Sequence, residues 1–440
     1  MDDASMSLNM SPLLLKVVER AKREPEGRFH TLAHLIDAPA LVRAFQRARS
    51  DAAVGVDGMT KAAYGKQLQV RVQDLHARLK QKRYRHQPIR RVHIPKGQGK
   101  TRPIGISTLE DKLVQDALRE VLEAIYEQDF LDCSYGFRPQ RGAHDAIRRL
   151  DQVVHADQVC WILEADIVSF FDSLNREELK KMLQIRVADE SLLRLIGKCL
   201  HVGVLEGAMY FEPETGATQG SVLSPLLGNI YMHYVLDLWF EEIVKPRLRG
   251  KASLIRYADD FVITFKRQDD AQAVMDVLPK RLGKYGLSLH PDKTRLFEFR
   301  RPPKQQISGK GTATFDFLGF TFYWARAATG RWGMWGKTRR ASLRKAIKSI
   351  YEWCRSHRHQ PVEAQRKSLA RRVRGHYNYF GVSGNYRSLL LFEAAVQKAW
   401  YKWLCRRSQR RRLWWSRYSK LLRSSWRLPS PRIAVQIWGA

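Results

Sequence analysis

The stretch "RYADDFVITF", residues 256–265, sets two adjacent carboxylates, Asp259 and Asp260, inside an apolar, β-prone run. Val262, Ile263 and Phe265 belong in a sheet, buried on one or both faces. An unpaired carboxylate is costly to desolvate in such a place, and two neighbours repel each other. The pattern reads as two strands meeting at the acid pair, a hairpin whose tip aims both sets of oxygens at one point. A third acid, Asp166, ends another apolar run, "CWILEAD" (160–166). Divalent cations would explain why all three are kept. Carboxylates are the ligands hard cations take, and two ions can flank one phosphoryl group. Two Mg²⁺ ions are the expected cofactors, with Mn²⁺ able to substitute, and Asp166, Asp259 and Asp260 are the expected ligands.

The chain's charge points the same way. Its 440 residues are 44% hydrophobic, enough for two or three domains with real cores, and carry a formal net charge of +33. A folded chain this basic calls for a polyanionic partner, nucleic acid first. Residues 321–440 hold 28 Lys and Arg against 3 acids, and 10 of the 12 tryptophans. About half of those tryptophans are expected in a helical core, the rest beside bases or ribose. Five scattered cysteines form no C-x-x-C pair, which argues against a zinc ribbon or a zinc-dependent HNH nuclease module and fits a reducing cytosol. The N-terminus does not read as a signal peptide, and no apolar run is long enough for a transmembrane helix.

Outward from the acid pair, residues 1–80 read as helices, interrupted by a Gly-rich loop, "AVGVDGMT" (53–60), whose Thr60 caps the next segment. "YRHQPIRRVHIPKGQGKTRPIGIST" (84–108) reads as a basic hairpin, and 108–130 as a long amphipathic helix. Residues 161–174 read as a buried strand turning into a helix. A Gly/Ser turn at 216–224 precedes another long helix to 244. A helix over 270–285 and the runs "GLSLHPDKTRLFEF" (286–299) and "FDFLGFTFYW" (315–324) complete an α+β unit. Beyond about residue 336 the pattern is helical and basic. "KWLCRRSQRRRLWWSRYSKLL" (402–422) is of the kind that gives non-specific phosphate affinity through residues such as Arg410, Arg411 and Arg412.

Taken in order, "EADIVSFFD" (164–172), "QGSVLSPLLGNIY" (219–231), "YADD" (257–260), "HPDKTRLFEF" (290–299) and "FDFLGF" (315–320) resemble the palm motifs of bacterial group II intron-encoded reverse transcriptase/maturases. The 84–106 hairpin resembles that family's fingers, "GVDGMT" its N-terminal extension, and "RRVRGHYNYFGVSGN" (371–385) its thumb or maturase segment. The resemblance spans nearly the whole chain and is to members without an HNH domain, so no second-strand cleavage is expected of this polypeptide.

That resemblance implies an α+β right-hand polymerase with an antiparallel palm sheet and a basic, all-helical thumb. The corresponding divisions are 1–80 (extension), 81–335 (fingers and palm), 336–400 (thumb) and 401–440 (basic tail). It implies that Lys96 and Arg102 grip the incoming triphosphate, that Gln219 and Gly220 lie along the nucleotide, and that Phe171 fills the space a ribose 2′-hydroxyl needs. Lys293 would serve the departing pyrophosphate, Phe317, Leu318, Gly319 and Phe320 the primer end, and Arg371, Arg372 and Arg374 the RNA. The implied partners are intron or template RNA, a DNA target or primer and dNTPs, with no membrane, in the bacterial cytoplasm beside the nucleoid. Rival readings are a splicing factor with a vestigial polymerase site, a reverse transcriptase domesticated for phage defence or CRISPR spacer capture, and an RNA-copying RNA polymerase. The sequence leaves the oligomeric state open.

Overall fold

Apolar residues at three- and four-residue spacing produce the N-terminal helices α1 (Pro12–Arg23), α2 (Ala38–Arg47), α3 (Lys61–Gly65) and α4 (Leu68–Lys80). The computed structural model describes residues 10–97, 100–206, 209–211, 216, 220–303, 305–306, 312–327, 329–407 and 413–438 (for 95–97, 100 and 211 the backbone alone). The expected cap is present: the Thr60 hydroxyl accepts from Ala63 N at 3.1 Å. A hairpin follows, β1 (Ile89–Gly97) and β2 (Lys100–Ile106), then α5 (Leu109–Asp129).

Helix α5 is buried on nearly every side, so its polar residues need partners. Asp111 accepts from Tyr84 Oη at 2.6 Å, and Glu120 and Asp116 take Arg43 and Arg47 from α2. These pairs tie the N-terminal helices to the main body, around the largest apolar core.

Next come α6 (Ala143–Ala156), β3 (Trp161–Ala165), α7 (Phe170–Ser173), α8 (Arg176–Arg186), α9 (Glu190–Leu200), β4 (Val204–Glu206) and β5 (Met209–Phe211). Helix α10 (Ser224–Met232) runs on through two π-helical segments, His233–Asp237 and Trp239–Val244. Strands β6 (Ala252–Tyr257) and β7 (Asp260–Phe265), α11 (Gln268–Gly283) and β8 (Arg295–Glu298) complete the palm-like unit. Its sheet has the order β6-β7-β3-β8 and is antiparallel throughout. A second sheet, β2-β1-β4-β5, carries the basic hairpin and joins β1 to β4 in parallel. A third, β11-β10-β9, is built from β9 (Phe315–Phe317), β10 (Phe320–Arg326) and β11 (Trp332–Thr338).

The C-terminal part is helical from Arg340: α12 (Arg340–Ser356), α13 (Val362–Phe380), α14 (Tyr386–Cys405) and α15 (Trp415–Arg423). They enclose a separate core containing Trp353, Trp400 and Trp403. Strand β11 therefore continues past residue 335, and α14 crosses residue 400. The segment after α15 turns back. Val435 bridges to Val382, and Trp438 sits edge-on to Phe322 with ring centroids 5.8 Å apart. Its backbone N donates to Ser383 Oγ at 3.2 Å. Six of the ten C-terminal tryptophans are buried, while Trp414 and Trp415 are exposed.

Trp438 thus links the C-terminal segment, the α13–α14 connection and the third sheet. Trp438→Ala is expected to cost about 3–5 kcal/mol, as deletion of a buried indole generally does, and to lower the thermal midpoint measured by circular dichroism.

Candidate active site

Strand register brings the three acids to one end of one sheet. Ala165 faces Phe261 across β3 and β7, so Asp166, one residue on, comes level with Asp260. Tyr257 pairs with Asp260, leaving Ala258 and Asp259 as the two turn residues between β6 and β7. Ala258 has φ +59°, the left-handed conformation that a tight hairpin asks of its first central residue. The backbone of Gly136 lies directly against this turn and has no room for a side chain: a Cβ on Gly136 would sit 2.5 Å from Ala258 N.

The tip is held from behind by Arg256, which is fully buried. Its guanidinium pairs with Asp237 at 2.5 Å and donates to Asn229 Oδ1 at 3.1 Å, Ser134 Oγ at 2.7 Å and the Ala258 carbonyl at 3.0 Å. Asn229 in turn donates to the Gly136 carbonyl at 2.6 Å. Every edge of this charged group is satisfied, which is the condition for burying it.

The acids themselves are strained electrostatically. Desolvation, then the charges of Asp166 and Asp259, push Asp260 up to about 7. Asp259 is raised mainly by desolvation, with Asp166 adding to the shift and Arg102 and Lys293 opposing it. Lys293 Nζ is hydrogen-bonded to Asp166 Oδ2. Among the described residues no three His, Cys, Asp or Glu side chains are gathered closely enough to hold a metal ion as they stand. Asp259 lies in the turn, Asp260 opens β7, and Asp166 accepts from Lys293 beside them. The donor set nevertheless fits a hard divalent cation: three oxygen-donating carboxylates in each other's field carry a surplus of negative charge.

Arg102, on β2, is exposed; burial raises both Asp259 and Asp172, and the charge of Arg102 opposes that rise. Phe170 is core, whereas Phe171 is half-buried, its ring 5.2 Å from that of Phe170 and close to Gly228 on α10. Gly220 has φ +107°, and a Cβ there would meet the Gly105 carbonyl at 2.5 Å, so its close approach is to the basic hairpin. The Lys96 side chain, Gln219, Arg410, Arg411 and Arg412 lie outside the described residues.

Residues 94–322 match the family described as "Reverse transcriptase (RNA-dependent DNA polymerase)". The chain belongs to this reverse transcriptase family. It is thereby an RNA-directed DNA polymerase. Protein YkfC of Escherichia coli is 32% identical over 321 residues, 65% of this chain and 84% of that protein. The group II intron-encoded protein LtrA of Lactococcus lactis is 35% identical over 214 residues, 46% of this chain but only 35% of LtrA. A 91 kDa protein in the cob intron of Schizosaccharomyces pombe is 36% identical over 197 residues, 43% of this chain and 24% of that protein.

For a reverse transcriptase, the contacts between third sheet and thumb matter next. Leu318 (φ +50°) and Gly319 (φ +80°) form the two-residue turn between β9 and β10. The Leu318 carbonyl accepts from Tyr379 Oη at 2.9 Å, and Phe320 packs on Tyr379 and Phe380 of α13. Phe317 and Phe320 are core, so the turn backbone, with the partly buried Leu318, is what "FLGF" offers to a ligand. Arg371, Arg372 and Arg374 are exposed on α13, with Arg372 over the Trp353 ring at 5.1 Å. Sequence reasoning missed the Arg256–Asp237–Asn229–Ser134 network. The available signal was an arginine inside an otherwise apolar strand.

Removing one partner of that network should be worse than removing the pair. Arg256→Ala leaves Asp237 buried and unpaired, an expected loss of about 3–5 kcal/mol. The double change Arg256→Met with Asp237→Leu should recover most of it in denaturant melts, since two apolar groups leave no buried charge.

Proposed function

We propose that this reverse transcriptase serves a group II intron: it copies RNA into DNA by adding dNTPs to a primer 3′-hydroxyl, and it binds the intron RNA to assist splicing and mobility. The observation that carries the polymerase half is the convergence of Asp166, Asp259 and Asp260 at one sheet end, backed by a fully satisfied buried arginine. Similarity to LtrA and to proteins of other introns supports the intron half.

In this reading Asp166, Asp259 and Asp260 hold two Mg²⁺ ions, which when bound would activate the hydroxyl and stabilise charge on the phosphates. The chain's own groups do the rest. Arg102, with Lys96 beside it on the hairpin, holds the triphosphate, the guanidinium fork matching phosphate oxygens. Gln219 and Gly220 line the nucleotide. Phe171 occupies the 2′ side of the sugar and disfavours NTPs. Lys293, already within reach of Asp166, neutralises charge on the pyrophosphate. The Leu318–Gly319 turn steadies the primer end, and Arg371, Arg372 and Arg374 bind RNA phosphates.

Two experiments test this. Primer extension on an RNA template with Mg²⁺ should require dNTPs in place of NTPs, and Asp259→Ala should abolish it. RNA affinity should stay nearly intact, because most of the excess charge lies beyond residue 320. Equal loss of binding and synthesis would contradict the separation. Independently of activity, Mg²⁺ should raise the thermal midpoint of the wild type by binding only the folded state. That shift should vanish in Asp166→Asn with Asp260→Asn, where the repulsion that the cation relieves is gone.

A further inference from the structure

The segment Cys133–Arg138, "CSYGFR", is pinned on both sides of one residue. The Cys133 carbonyl accepts from Arg256 N at 2.8 Å, and Tyr135 N donates to the Arg256 carbonyl at 2.9 Å, so the segment runs alongside β6. Gly136 lies against the turn residue Ala258 and is held by Asn229. On the far side Arg138, 4% exposed, pairs with Glu127 at 3.1 Å and donates to the Leu131 and Ser134 carbonyls. Between these anchors stands Phe137, with φ +58° and 55% of its surface exposed.

That combination is unfavourable twice over. A bulky side chain in the left-handed region is a genuine outlier, and an exposed phenyl ring gains nothing from burial. Surroundings this well determined can hold such a residue in place, and strain of this kind concentrates at functional sites. The ring's position gives it a use. It lies 6.5 Å, centroid to centroid, from the ring of Tyr257, the residue directly before the Ala258–Asp259 turn. Phe137 and Tyr257 therefore form an aromatic pair beside the carboxylates, and Phe137 is its more exposed member.

We propose that Phe137 is a packing ledge for the primer–template duplex, its ring lying against the sugar and base at the primer's 3′ end. The fixed backbone keeps the ledge in register with Asp259 and Asp260, because the same hydrogen bonds hold both. This inference rests on the polymerase reading above, and it concerns a residue for which core packing supplies no reason.

The test compares Phe137→Ala, Phe137→Gly and Phe137→Trp with wild type by fluorescence anisotropy of a labelled RNA–DNA primer–template, by dNTP KM at saturating duplex, and by thermal melting. Loss of one base–aromatic stack corresponds to roughly a 5- to 150-fold rise in duplex Kd for the Ala and Gly variants. Phe137→Trp should hold near the wild-type value, and the dNTP KM should move far less than Kd. Phe137→Gly should melt no lower than wild type, since glycine accepts φ +58° without strain. Wild-type duplex affinity in both the Ala and Gly variants would overturn the proposal, as would a fall in melting temperature that parallels the loss of binding in all three. If wild type binds duplex but makes no DNA, the polymerase reading fails, and the Kd comparison still decides the role of Phe137.

Discussion

A guanidinium with no access to water stands directly behind the aspartate hairpin, and much of the palm is arranged to satisfy it. Arg256 projects from β6 into a space bounded by α10 and the segment before Gly136. A buried charge left partly unpaired would cost several kcal/mol, so Asp237, Asn229 and Ser134 are constrained together. The last donor goes to the Ala258 carbonyl, inside the turn that carries Asp259. One ion pair therefore couples helix, strand and loop to the geometry of the acids. The reach of the constraint explains why residue 136 is a glycine: its backbone is drawn against that of Ala258.

The pairing that matters here was hidden from sequence by a change of helical phase. The run from Ser224 reads as one long helix, and it is one, but part of it is π-helical. Eight residues of α-helix overshoot two full turns by about 80°, which would carry Asp237 off the face that Asn229 occupies. Wider π turns reduce that overshoot, and both side chains reach Arg256. Hydrophobic periodicity cannot register the slip, since the helix is buried on nearly all sides and every phase looks equally apolar.

What was legible was local and periodic. The strands around Asp166 and the acid pair, the basic hairpin, the Thr60 cap and the α+β order follow from alternation, caps and turn residues. The ordered motifs carried the family. Long-range returns were not legible. The parallel pairing of β1 with β4 joins Ile89 to Val204, and the tail brings Val435 back to Val382. Neither has a local signal. Phe137 shows the limit from the other side: nothing in the sequence around it marks it as exposed, and its exposure follows from the anchors on either side of it.

The charge distribution completes the physical argument. Carboxylates raised by burial and then by each other's charge favour a cation, while a nucleic-acid backbone needs positive charge. Placed together, arginines would neutralise the acids and compete with a divalent ion. The chain keeps them apart. Among the described residues, the positive groups near the acids have specific places: Lys293 on Asp166, Arg102 within range of Asp259, and Arg256 buried behind the turn. The exposed arginines of α13 stand on a separate helical core. The Tyr379 contact to the Leu318 carbonyl ties α13 to the third sheet, so the helix that carries these arginines is anchored to the β9–β10 turn by a hydrogen bond as well as by the packing of Phe320 on Tyr379 and Phe380.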